Sequence, residues 1–168
     1  MAIAITLQEY LDGNGVNYDV LKHRHSASSF ETSSSARVPM KQLAKAVVYR
    51  DEDHHYLMAV IPSQNHAQTP PLNKLTNHRL QLATEAELGK LFSDCELGAV
   101  PPVGQAYNVR VVWDDRLLNE EDIYLEAGDH EHLIHLKKDQ FADLMAHMPH
   151  GDISRMASVM GYDHTDIY

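Results

Sequence analysis

Two periods organise the apolar positions of this chain. Leu7, Tyr10 and Leu11 recur at helical spacing behind Thr6-x-x-Glu9, which reads as a capping box, and Gly13 or Gly15 closes the helix. Tyr18 to Leu21 reads as a strand. Ser28-x-x-Glu31 is a second capping box inside the serine-rich stretch from Ser26 to Ser35, whose serines serve as caps and turns. Ala44 to Arg50 and Tyr56 to Ile61 are β-rich runs on either side of Asp51-Glu52-Asp53-His54-His55, the pattern of a hairpin.

The segment Ser63 to Lys74, with Pro70-Pro71, reads as a surface loop or a turn into a short helix, and Arg79 to Leu82 as a strand. Thr84-x-x-Glu87 is a third capping box, with Leu88, Leu91 and Phe92 on the apolar face of its helix. The next segment, Gly98-Ala99-Val100-Pro101-Pro102-Val103-Gly104, is predicted to be a constrained loop because its prolines exclude helix and central strand. Val109 to Trp113, Ile123 to Glu126 and His132 to Leu136 read as strands, separated by turns at Asp114-Asp115 and Ala127-Gly128-Asp129. Phe141, Leu144, Met145 and Met148 then fall at i, i+3, i+4 and i+7, an amphipathic helix ended by Pro149 and Gly151. The expectation is a mixed α/β (α+β) domain over residues 1–150, followed by a short helical tail over 151–168.

Composition narrows the class. A chain of 168 residues, 43% hydrophobic and 23% charged, can bury one core unaided and falls outside disordered and fibrous classes. Its single cysteine, Cys95, rules out an intrachain disulfide framework and a cysteine-based zinc knuckle. The N-terminal residues lack the layout of a secretory signal, and no apolar run approaches the roughly 18 residues of a membrane helix. A reducing, cytoplasmic setting with no membrane association is expected.

The net charge of −10 argues against DNA or general nucleic-acid binding. Its distribution modifies that inference. Six bases (Lys22, Arg24, Arg37, Lys41, Lys45, Arg50) face one acid, Glu31, between Val20 and Arg50, whereas Glu85 to Glu131 carries twelve acids against three bases. A small basic patch on an acidic body suits an RNA end held with modest, salt-sensitive affinity.

Two features stand out chemically. Glycines in the Gly98 to Gly104 loop allow close backbone approach while two prolines hold it rigid, so its amides suit an oxyanion hole or anion nest. Lys45 is a lone charge in the apolar run Leu43 to Val48, a fixed cation for a phosphate or carbonyl. Taken singly, each is better read as structural, the loop as an ordinary Pro-rich connection and Lys45 as a snorkelling strand-end lysine.

The order of these features resembles the YbaK/ProX family of aminoacyl-tRNA deacylases: a lysine opening a β-run, a Gly-x-x-x-Pro loop at Gly98 to Pro102, and a later Ala127-Gly128-Asp129 turn, across roughly residues 15 to 146. The resemblance implies a mixed, mainly antiparallel curved sheet flanked by helices. It also implies hydrolysis of the ester that joins a wrong amino acid to the tRNA 3′ end, with no metal or organic cofactor. The implied partners are the tRNA acceptor end and, by tethering, an aminoacyl-tRNA synthetase. On that resemblance Lys45 and Gly98 carry the catalytic role. His25, Ser28, Ala99, Val100, Pro101, Pro102, Gly104, Gly128 and Asp129 bind substrate. The general base stays unassigned.

Other chemistries fit less well. His130 and His132 on a strand would share one face with His135 on the other, so they could not hold one ion without a bulge. There is no His-Glu-x-x-His helix and no Gly-x-Ser-x-Gly elbow. Cys95 lies between Asp94 and Glu96, which would raise its thiol pKa. The alternatives that remain are a catalytically inactive binding module of the same fold, acting with a synthetase or another protein, and, more remotely, a histidine-rich metal-binding protein.

Overall fold

The computed structural model describes residues 3–156. Its elements run in the order α1 (Ile5–Gly13), β1 (Asp19–Lys22), α2 (Ser29–Ala36), β2 (Leu43–Arg50), β3 (Tyr56–Pro62), β4 (Asn65–Ala67), α3 (Thr69–Thr76), β5 (Gln81–Leu82), α4 (Glu85–Leu91), β6 (Arg110–Asp114), β7 (Asp122–Glu126), β8 (His132–Lys137), α5 (Lys138–Leu144), β9 (His150–Gly151) and β10 (Ser154–Met156). The main sheet has the strand order β1-β8-β7-β2-β3-β6-β9, with β5 also paired to β2, and β10 pairs β4 separately. The pairs β1·β8, β8·β7, β2·β3 and β2·β5 are antiparallel, whereas β2·β7, β3·β6 and β6·β9 are parallel. The sheet is therefore mixed, as expected, with antiparallel pairs narrowly in the majority.

Alternation along the strands explains the layers. Ala44, Val48, Met58, Val60, Val111, Trp113, Ile123 and Leu125 face one side and pack with Leu7 and Leu11 of α1, Leu88 of α4 and Phe141 of α5. Their neighbours Val47, Tyr49, Leu57, Ala59, Ile61 and Val112 face the other side, against Leu72 of α3, Ala67 and Ile153. A central strand buried on both faces reads as a continuous apolar run, which is what β3 shows. Each fully buried leucine in these layers contributes on the order of 2 kcal/mol.

Several local expectations are changed by packing. Thr6 does not cap α1: the helix begins at Ile5 behind Ala4, and the Thr6 N–H donates to Asp94 Oδ2 at 2.9 Å, so a carboxylate 88 residues away takes the capping role. Of the other two boxes, Thr84 and Glu87 cap reciprocally, whereas at Ser28 only half forms: Ser28 accepts from the Glu31 N–H, but the Glu31 carboxylate accepts from the Ala27 N–H instead of the Ser28 N–H. Residues 63–74 hold both the short helix α3, with prolines at its start, and strand β4. After Asp152 a short helix is expected, but Ser154–Met156 is a strand because Ser154 Oγ and the Ile153 N–H are drawn to the buried Asp114 carboxylate. The rest of that tail, residues 157–168, lies outside the described residues.

Candidate active site

Strands β2 and β7 pair in parallel over two positions only, Leu43 with Tyr124 and Ala44 with Leu125. Beyond them β2 continues toward β5, and the two strands part. The next residue on each strand is charged: Lys45 on β2 and Glu126 on β7. A cleft of about 530 Å³, counting its open mouth, lies at this fork and is lined by Ala27, Ser28, Ser29, Lys45, Ala46, Val48, Leu88, Gly98, Val100 and Glu126. Crevices where neighbouring strands diverge are common ligand sites in parallel and mixed sheets.

Of the residues singled out from sequence, the structure brings Lys45, Ser28, Gly98 and Val100 together around this cleft. The polypeptide from Gly98 to Val103 is a loop, and Gly104 begins a 3-10 turn. Gly98 has φ +81, a conformation that favours glycine. The Ala99 N–H already donates to the Glu96 carbonyl at 3.1 Å. The N–H groups of Gly98 and Val100 donate to no protein acceptor among the described residues. Of the three successive amides of Gly98, Ala99 and Val100, the two whose residues line the cleft are thus left to meet a carbonyl oxygen.

The remaining candidates are placed elsewhere. Ala99, Pro101 and Pro102 are buried residues of the loop that do not line the cleft. A Cβ on Gly104 would stand 2.9 Å from Val111 Cγ2 and 3.0 Å from the Val109 carbonyl, so this glycine serves close packing on β6. Gly128, at φ +108, lies under Ala4 and Cys95. Asp129 accepts from the N–H groups of Glu131 and His132 and pairs with His132 Nδ1 at 2.5 Å. Burial alone would raise its pKa, but those bonds outweigh burial and hold it below the usual carboxylate range. His25 is exposed, 3.6 Å from Glu96 Oε2, with its ring centroid 5.3 Å from that of His130.

Two residues escape a reading of sequence. His130 occupies the turn after Asp129 at φ +62, not the strand, so it shares no face with His132. Its Nε2 donates to the Leu97 carbonyl at 2.5 Å and fastens the loop from below. The three histidines therefore diverge, His132 to Asp129 and His135 to Asp122 and Asp19. Carboxylate and histidine groups near enough to share an ion occur instead at the β2–β3 turn, as Asp51, Asp53 and His55 within it, or Glu52 and Asp53 of the turn with His78 from the segment after α3. There, however, Asp51 is already held by Arg110 and by the N–H groups of Asp53 and His55.

The second is Glu126. Its Oε1 accepts from Thr32 Oγ1 at 3.3 Å, and Thr32 in turn meets Ser26 Oγ at 2.6 Å. Its Oε2 is buried with no hydrogen-bond partner. Burial, aided by Asp129 and only partly opposed by Thr32, pushes its pKa up to about 7. An unmet buried acceptor costs roughly 1–3 kcal/mol, more when charged, so this carboxyl is expensive to keep. From sequence, Glu126 looked like the polar end of an alternating strand. What would have marked it is its offset from Lys45 across a parallel pair, which no local pattern encodes.

Comparison with known proteins gives a family and a shared fold. Residues 23–144 match the family model described as the aminoacyl-tRNA editing domain. Among curated proteins no sequence matches the chain. A solved structure described as a candidate trans-editing enzyme for prolyl-tRNA synthetase superposes with TM-score 0.79 at 20% identity, covering 90% of this chain and 96% of that one. A protein described only as hypothetical gives TM-score 0.80 at 20% identity, over 89% of this chain and 99% of that chain. A signal-transduction candidate from Marinobacter aquaeolei VT8 gives 0.71 at 19% identity, over 89% of this chain and 30% of that larger one. At these identities the superpositions establish a shared fold.

Proposed function

The chain belongs to the aminoacyl-tRNA editing domain family, matched over residues 23–144, and from that premise we propose that it is a deacylase that hydrolyses the ester of mischarged tRNA. The observation that carries this reading is the fork between β2 and β7, where Lys45, the unengaged N–H groups of Gly98 and Val100, and Glu126 border one cleft.

In the reaction, water adds to the ester carbonyl, the bond from the carbonyl carbon to the ribose oxygen breaks, and that oxygen leaves with a proton as the terminal hydroxyl. The free amino acid departs as its carboxylate. Negative charge builds on the carbonyl oxygen as water adds. The Gly98 and Val100 N–H groups, which donate to no protein acceptor among the described residues, would receive that charge, the kind of stabilisation in which one well-aimed donor is worth about 10²–10³ in rate. Lys45 adds a fixed positive charge at the cleft wall, for the ester or for the terminal phosphate. The tRNA acceptor end is the partner this chemistry requires, and a synthetase would raise its local concentration by tethering. Among the described residues no helix is long and apolar enough to cross a membrane.

The test uses purified protein, a panel of mischarged tRNAs and the rate of ester loss, with Lys45→Ala and Gly98→Ala alongside wild type. Wild-type hydrolysis of at least one tRNA and a loss in both variants is expected. Wild-type rates in both variants would remove the assigned site. No hydrolysis of any mischarged tRNA would leave a binding module in its place.

A further inference from the structure

Glu126 has no assigned part in the ester chemistry, yet its placement is unlike that of a structural glutamate. It is the residue next after the last β2·β7 pair, as Lys45 is on the partner strand, so the two strands deliver an anion and a cation to the mouth of the same fork. One carboxyl oxygen is anchored by Thr32, itself braced by Ser26, and the other is buried without a donor. Most buried side-chain acceptors that serve only the fold are hydrogen-bonded. Here the polypeptide builds the anchor for one oxygen and leaves the other waiting. The last torsion of a glutamate is broad, so rotation of the carboxyl about it can present the second oxygen to the cleft.

The substrate supplies what is missing. An aminoacyl ester carries two polar groups at its reacting end: a carbonyl oxygen, which accepts, and an α-ammonium, which donates three hydrogen bonds and bears a positive charge. The Gly98 and Val100 N–H groups suit the first. Neither they nor Lys45 can receive the second, because donors and cations repel it. Among the described residues, Glu126 is the carboxyl group that borders the cleft. We propose that Glu126 receives the α-ammonium of the aminoacyl ester, so that the cleft selects esters with a free amino group and rejects those that lack one. This rests on the deacylase reading above. The pKa of Glu126, raised by burial to about 7, supports it: the charged form is under-stabilised in the empty cleft, and a bound ammonium would restore it.

The experiment compares a mischarged tRNA with its α-hydroxyacyl counterpart, made by nitrous acid deamination, which keeps the size of the acyl group and replaces the ammonium by a hydroxyl. Wild type is expected to prefer the aminoacyl ester by about tenfold or more in kcat/KM. Glu126→Gln should lose about tenfold or more on the aminoacyl ester and change less than about threefold on the hydroxyacyl ester, so that the preference collapses. An equal loss on both esters would mean that Glu126 acts on the water or the scaffold, and no loss on either would mean that it is a bystander; each overturns the proposal. Glu126→Asp, which keeps the charge and draws it back, should reproduce the collapse in part and serves if the glutamine variant does not fold. Should wild type hydrolyse no ester, the deacylase reading fails by itself. Binding of a 3′-amide aminoacyl-adenosine and its desamino analogue then decides the present proposal: tighter binding of the amino form, abolished in Glu126→Gln, supports it, and equal binding overturns it.

Discussion

The ring of His130 closes the underside of Gly98. A Cβ at Gly98 would stand 3.2 Å from His130 Cε1, and the same ring holds the Leu97 carbonyl through Nε2. The glycine is thus fixed twice, by a left-handed φ of +81 and by a neighbour with little room to yield. Loop shape and the direction of the two unengaged amides both depend on this contact.

Gly98→Ala should therefore cost about 1–2 kcal/mol of stability and lower deacylation about tenfold or more. In a His130→Ala background the alanine should cost less, because the contact is relieved while the φ strain remains. Denaturant unfolding of the two single variants and the double variant would read this as a coupling of about 0.5 kcal/mol or more.

Lys45→Ala removes the one cation that lines the cleft among the described residues. Its kcat/KM on a mischarged tRNA should fall about 10²-fold, near 2.7 kcal/mol of transition-state stabilisation. Lys45→Arg should retain part of the rate. Steady-state kinetics separate the roles: a loss confined to KM marks anchoring of the tRNA end, a loss in kcat marks help to the reacting ester.

Glu126 and Asp129 should give opposite pH signatures in stability. Burial raises the Glu126 pKa in the folded state to about 7 from 4.5, so folding is penalised above the unfolded value and the penalty is complete once pH passes the folded one. Glu126→Gln should accordingly stabilise the protein at pH 8 by roughly 1–3 kcal/mol and leave it little changed near pH 4. Asp129 is held below its ordinary 3.8, so its contribution is present at neutral pH and is lost as pH falls through the folded value. Asp129→Asn should destabilise at pH 7 and much less near pH 2. Thermal unfolding of the variants across pH measures both.

Cys95 should be inert in the folded protein. Burial, with Asp94 beside it, pushes its thiol pKa up to about 12, against a lowering by the Tyr107 hydroxyl. Iodoacetamide at pH 8 should modify the native protein far more slowly than the same protein in guanidinium chloride, as mass spectrometry would record.

How much of this was legible in the sequence follows from the range of the interactions. The β2–β3 hairpin, the caps at Ser28 and Thr84, and the loop at Gly98 rest on neighbours within a few residues, and local patterns reveal them. The cap on α1 and the strand at Ser154–Met156 rest on Asp94 and Asp114, whose partners are remote in sequence, and there local patterning points the wrong way. The site divides along the same line. Lys45 and Gly98 interrupt their surroundings and are visible as interruptions. Glu126 and His130 gain their character from a strand register and a turn, and Gly104 and Gly128 look like loop glycines until the residues pressed against them are seen.

The start of α1 is bound to two segments that lead into the cleft, the end of β7 and the stretch before the glycine loop, without lining the cleft itself. The Ala4 N–H donates to the Ala127 carbonyl at 2.8 Å, one residue past Glu126, while the Thr6 N–H is held by Asp94, four residues before Gly98. Ala4 also packs against Gly128 closely enough that a Cβ there would approach within 2.9 Å. The amino-terminal segment is thus a cross-brace that sets the distance between the acidic strand end and the glycine loop. Trimming it through Thr6, or loading it with a bulky fusion, would be felt as slack between Glu126 and Gly98, away from the residues that line the cleft.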